Sequence, residues 1–157
     1  MSMGLVIKVL KPIQKTDANN EDALHIYTLD FSPIEHLSKF DEGYYECEEI
    51  EAPRFHWPYG TYGEFRRKVC SMALVVAIEN VWEDVEKYIN APFIEFINFA
   101  DNEGCFDYAV AEKLYKDFLD LLNEAESCLR GPILHMYKTY MEILRIAAEN
   151  KAVVYYL

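Results

Sequence analysis

The chain has 157 residues, with 27 Asp plus Glu against 15 Lys plus Arg, a formal net charge of −12, 52% hydrophobic residues and 15% aromatic ones. Such a length favours one domain over residues 1–157, large enough to bury a sizeable core without a disulfide or a structural metal. The apolar and aromatic content excludes intrinsic disorder, and the acidic balance argues against nucleic acid as a partner.

The charge is concentrated. Asp17, Glu21, Asp22, Asp30, Glu35, Asp41, Glu42, Glu46, Glu48, Glu49 and Glu51 face a single base, Lys39, between positions 17 and 51. Eleven acids and one base leave that segment at −10, whereas the other 16 acids and 14 bases nearly cancel. Two adjacent tyrosines, Tyr44 and Tyr45, sit in its densest part. Carboxylates in such a run keep an edge strand solvated and unpaired, or, with tyrosines as anchors, form a docking face for a basic partner.

In chain order, Leu5–Leu10 and Leu24–Phe31 are short, β-branched and aromatic, and bounded by Pro12, Asn19-Asn20 and Pro33, which predicts two strands. The apolar stretch near the N-terminus is short and broken by Lys8, so no secretory signal is expected. Gln14–Asp22 reads as an exposed connection and Gly43–Glu51 as a third strand. Phe55-His56-Trp57-Pro58-Tyr59-Gly60-Thr61-Tyr62 has the composition of an aromatic loop. A helix is expected from Glu64, deeply buried over the run Met72–Ile78, which is too short to cross a membrane. A second helical piece, Val81–Tyr88, should end before Pro92. Phe93–Ile97 is apolar enough to lie inside, and Asn98–Gly104 reads as a turn. Val110, Leu114, Phe118, Leu121, Ala125 and Cys128 mark one long helix with Asp107 as its N-cap, ended by Arg130-Gly131-Pro132. A last helix, Ile133 to about Glu149, should pack antiparallel on it, and Val153–Leu157 is a returning strand. The expected class is α+β, with a predominantly helical body of three to four helices and a small sheet from N-terminal strands plus the C-terminal one.

Cys47, Cys70, Cys105 and Cys128 form no C-x-x-C pair, and Cys70 and Cys128 sit in apolar helical stretches, so reduced, buried thiols and a soluble, cytoplasmic protein are expected. Asp101, Glu103 and Asp107 crowd the mouth of the long helix, but Cys105 and Gly104 occupy the wrong positions for an EF-hand, so a structural turn is expected and no metal. His25, His36, His56 and His135 are isolated in sequence; His56, between two aromatics, is the one placed to act as acid or base. Neither a nucleophile elbow nor a phosphate-binding loop is written, so no cofactor is implied and no enzyme motif is present.

The run Pro92-Phe93-Ile94-Glu95-Phe96-Ile97-Asn98-Phe99-Ala100-Asp101-Asn102-Glu103-Gly104, followed by the helix with Ala111, Leu114 and Phe118, resembles small bacterial and phage-encoded proteins that carry an F-S-D-C-[DE]-G-like phrase before a helix. Tyr59-Gly60-Thr61-Tyr62-Gly63-Glu64-Phe65-Arg66 is similar to a second phrase found in some of them. The chain departs at Ala100, where those proteins usually have Ser, and at Asn102, where they usually have Cys. The resemblance implies a fold and carries over no activity.

The leading expectation is therefore a protein-interaction module, of the immunity or antitoxin kind, that binds a basic protein through Tyr44, Tyr45, Glu46, Glu48, Glu49, Glu51, Trp57 and Tyr59. The alternative is a small-ligand binder or enzyme with a pocket where the aromatic loop brings His56 to Asp101 and Glu103. A homo-oligomer joined by surface aromatics is the third reading, and no membrane association is expected.

Overall fold

In a computed structural model of the protein, residues 4–28 and 33–157 are described. Five antiparallel strands form one sheet: β1 (Leu5–Thr16), β2 (Leu24–Ile26), β3 (Gly43–Trp57), β4 (Gly104–Phe106) and β5 (Val153–Tyr156), in the spatial order β2-β3-β1-β5-β4. The returning C-terminal strand is thus internal, between β1 and β4. Strands are not confined to the termini: β4 lies in the segment expected to be only a turn. Residues 29–31, the last part of the strand expected over Leu24–Phe31, lie outside the described residues.

Strand β1 runs six residues past its expected end, through Pro12. Val6 and Leu157 exchange backbone hydrogen bonds of 3.3 and 2.8 Å, so even positions of β1 direct their backbone towards β5. The β5 ladder stops at Leu10↔Val153, so Pro12, which lacks an N–H, faces a stretch where no strand asks for one. Just beyond it the β1–β3 register shifts between Pro12 and Gln14, leaving Ile13 as an exposed bulge residue.

Alternation along the strands builds two cores. Leu10, Tyr45, Cys105, Val153 and Tyr155 join Ile26 in a small inner cluster, while Ile7, Val9, Phe55, Phe106, Val154 and Tyr156 belong to the large one shared with the helices. The sheet curls round the inner cluster until its two ends meet. Cys105 N–H donates to the carbonyl of Tyr27, just past β2, at 3.3 Å, and the Tyr155 hydroxyl donates to the His25 carbonyl at 2.7 Å. Leu37 and Phe40, from the segment that follows, pack against this inner core.

Among the described residues there are six helices: α1 (Tyr59–Leu74), α2 (Ile78–Glu83), α3 (Ile94–Ile97), α4 (Tyr108–Asp120), α5 (Leu122–Cys128) and α6 (Gly131–Glu149), with a 3₁₀ turn at Val85–Tyr88. The expected aromatic loop at 55–62 does not exist as a loop. Phe55–Trp57 finish β3, Pro58 occupies the N-cap with φ −55°, and Tyr59 opens α1. Gly60 and Gly63 have open space around their Cα atoms, and Tyr62 and Phe65, three apart, are buried on one face, so packing overrides the poor helix propensity of the glycines.

The run Met72–Ile78 is not one deeply buried helix either. Helix α1 ends inside it, at Val75, which has left-handed backbone (φ 56°) and is 84% exposed. The long helix expected from Asp107 to Cys128 breaks at Leu121 into α4 and α5, and Cys128 is exposed rather than buried. The four cysteines are unbonded. Between helices and sheet lies a core of interlocked rings: Phe118 meets Phe93, Phe96, Tyr137 and Tyr140 at centroid distances of 4.6–5.6 Å. The tyrosine hydroxyls inside are satisfied, since those of Tyr62 and Tyr140 both meet that of Tyr156, and Tyr137 donates to the Phe118 carbonyl at 2.6 Å.

Candidate functional site

The acidic segment forms the N-terminal half of β3, and strand geometry sorts its side chains between two faces. Tyr45 and Cys47 point to the inner core; Tyr45 is 8% exposed and its hydroxyl donates to the Asp41 carbonyl at 2.8 Å, which removes it from the expected docking residues. Tyr44, Glu46 and Glu48 take the opposite face, which the helices leave uncovered at this end of the sheet. Glu49 and Glu51 fall on the face of Tyr45, where Glu49 pairs with Lys8 at 2.9 Å. Trp57 is half-buried against the main core, 6.5 Å from the His135 ring, and Tyr59 is 40% exposed at the start of α1. The eight expected residues therefore do not make one surface.

Three of them do, together with two residues that sequence reasoning passed over. His25 of β2 stands opposite Tyr44 in the β2–β3 register. Its ring lies between those of Tyr44 and Tyr27, with centroids 4.6 Å from each and interplanar angles of 13° and 22°. The outcome is a three-ring stack, Tyr27–His25–Tyr44, continued along the same face by Glu46 and Glu48. At the other end Glu103 accepts the Tyr27 hydroxyl at 2.6 Å. Burial and that carboxylate push the Tyr27 phenol well above its ordinary range, so it stays a neutral donor. Glu46 accepts from the Asn20 side chain at 3.1 Å, tying the 17–23 turn to the face, and the Glu42 carboxylate accepts from Thr28 N–H at 3.3 Å. The signal for His25 and Tyr27 was the alternation Leu24-His25-Ile26-Tyr27, which places both on the side opposite the buried Ile26.

The alternative grouping of His56 with Asp101 and Glu103 is spread across the sheet. The register aligns Gly104 with Tyr156, Tyr156 with Ile7, and Ile7 with Phe55. His56 is thus separated from Glu103 by three strand spacings, roughly 14 Å. The hollow beside His56 is lined by β1 and β3 residues, with neither Asp101 nor Glu103 among them.

Asp107 is the N-cap of α4, accepting from Ala109 N–H at 3.2 Å, and it does more than cap. Fully buried, its carboxylate also takes the backbone N–H groups of Ser38 at 2.7 Å, Lys39, and Phe40 at 3.3 Å. It thereby pins the 36–40 segment, whose His36 carbonyl in turn accepts Asp107 N–H at 3.0 Å. His36 is 2% exposed, with Nε2 3.2 Å from the Glu95 carbonyl and its ring 4.8 Å from that of Phe99; burial holds its pKa below the usual 6.5.

Among the described residues, no group of three His, Cys, Asp or Glu side chains is arranged to hold a metal ion, and no helix is long and apolar enough to cross a membrane. What fold and site define is an α+β protein with an acidic and aromatic ledge on a curled sheet. Compared with known proteins, the chain has no significant match to a family model, a curated protein or a solved structure.

Proposed function

We propose that the protein is an interaction module whose ledge, Tyr27, His25, Tyr44, Glu46, Glu48 and Glu103, docks a basic segment of a protein partner. The observation that carries this reading is the stacked triplet of rings flanked at both ends by carboxylates, at the end of the sheet face that the described helices leave uncovered. An arginine guanidinium is suited to such a surface, because it stacks on an aromatic face while its donors reach carboxylates at the rim. The remaining acids of the 17–51 segment raise the local concentration of a basic partner and speed its approach. A toxin-neutralising role, as an immunity protein or antitoxin, is one form this docking takes when the partner is a basic toxin.

Titration with an arginine-rich 12-residue peptide at low salt tests the reading. The triple variant Y44A/E46Q/E48Q should weaken binding by about tenfold or more. The control E83Q/E86Q/E124Q, which removes three exposed charges from other parts of the surface, should change it by no more than about twofold. Equal losses in the two variants would mean that only net charge is being read.

A further inference from the structure

A second feature lies where β3 leaves β1. The ladder pairs Ile7 with Phe55 and Val9 with Ile50, so β1 advances two residues while β3 advances five. Glu51–Arg54, with Pro53 among them, bow away from β1 and open a hollow of about 260 Å³. Its apolar wall includes Ile50 and Ala52, and its polar lining is Lys8, Glu49, Arg54 and His56.

The cations here are not equivalent. Lys8 is held by Glu49 at 2.9 Å. Arg54 is the only base in β3, and among the described residues it has no carboxylate partner. Its Nη2 lies 3.3 Å from His56 Nδ1. A guanidinium can only donate, so Nδ1 accepts and the imidazole carries its proton on Nε2. Arg54 and His56 therefore line the same small volume, joined to each other, in a strand otherwise rich in carboxylates.

We propose that this hollow binds a small amphipathic monocarboxylate, its carboxylate on Arg54 and beside His56 and its apolar body against Ile50 and Ala52. Arginine recognises a planar carboxylate through paired donors. The apolar wall supplies the rest, at a volume just under the usual range for drug-sized ligands and so suited to a fragment of fewer than about ten heavy atoms. Glu49 in the lining disfavours multiply charged anions, so a single carboxylate is the best match.

Benzoate titrated into ¹⁵N-labelled protein, with shifts followed at Lys8 and residues 50–56, tests this site. The expected result is saturable shifts confined to those residues, an affinity at least tenfold weaker in Arg54→Gln, and no comparable binding of benzylamine, which has the same ring and the opposite charge. Ala52→Leu, which fills the hollow and leaves Arg54 in place, should abolish the shifts and provides the test if Arg54→Gln fails to fold. Shifts scattered over the surface, undiminished binding in either variant, or equal binding of benzylamine would overturn the proposal. The ledge reading predicts nothing about benzoate, so either can fail without the other.

Discussion

Asp107 joins two parts of the chain that sequence distance separates. One carboxylate caps the N-terminus of α4 and gathers the N–H groups of Ser38, Lys39 and Phe40. Asp107→Ala should cost about 3 kcal/mol or more, combining the lost cap with the lost charge-assisted hydrogen bonds to the 38–40 amides, read as a lower denaturant midpoint. It should also release the 36–40 segment to fast amide exchange; a loss confined to α4 would show that the segment holds itself. His36, in that segment, gives the fold a pH dependence. Burial lowers its folded pKa, so the unfolded state takes up a proton near 6.5 that the folded state resists. Its contribution is complete above that value and is lost as pH falls through the folded pKa. Stability measured between pH 7.5 and 5 should decline less steeply in His36→Phe than in the natural chain; identical slopes would remove His36 from the acid response.

At the scale of elements, the edges of helices and strands were legible only where a local residue decides them. Asp107 was recognisable as a cap because the reason lies within a turn of the chain, whereas the helical piece expected over Val81–Tyr88 and ended by Pro92 is instead a short α2 that closes at Glu83, followed by a 3₁₀ turn at Val85–Tyr88. The passage 55–62 misled because its Gly, Pro and aromatic content describes a loop, whereas burial of Tyr62 and Phe65 against Phe96 and Tyr140 makes it a strand end and a helix start. The run 72–78 misled in the other direction: apolar throughout, it still contains the end of α1 at Val75. A β-branched residue in left-handed backbone is strained, and this one is exposed, so its side chain contributes little packing in return. Val75→Gly is expected to stabilise the protein by about 1 kcal/mol, relief of strain outweighing the added freedom of the unfolded chain. Chemical denaturation measures it, and a destabilised variant would show that Val75 supports the fold through packing. Gly4 makes the opposite case: a Cβ there would sit 2.6 Å from the Trp57 carbonyl oxygen, so the strand pair closes only on glycine.

Across the whole molecule, composition and periodicity were enough for α+β and for the C-terminal strand, and the third strand expected over Gly43–Glu51 lies within β3. They could not show how the faces divide. Tyr44 and Tyr45 look equivalent in sequence, yet one is stacked outside and the other buried, because a strand turns alternate residues in opposite directions. Nor could they show that the sheet curls until Tyr27 meets Cys105, which is what brings Glu103 to β2 from 76 positions away. The ledge is a product of that curl. The most direct measurement of its role is a map of amide shifts as an arginine-rich peptide is added to the ¹⁵N-labelled protein at physiological salt. The account predicts a compact patch on His25, Tyr27, residues 44–48 and Glu103, with the inner-core residues Tyr45 and Cys47 moved only through their neighbours. Shifts spread evenly over the acidic surface, or absent from that patch, would contradict it.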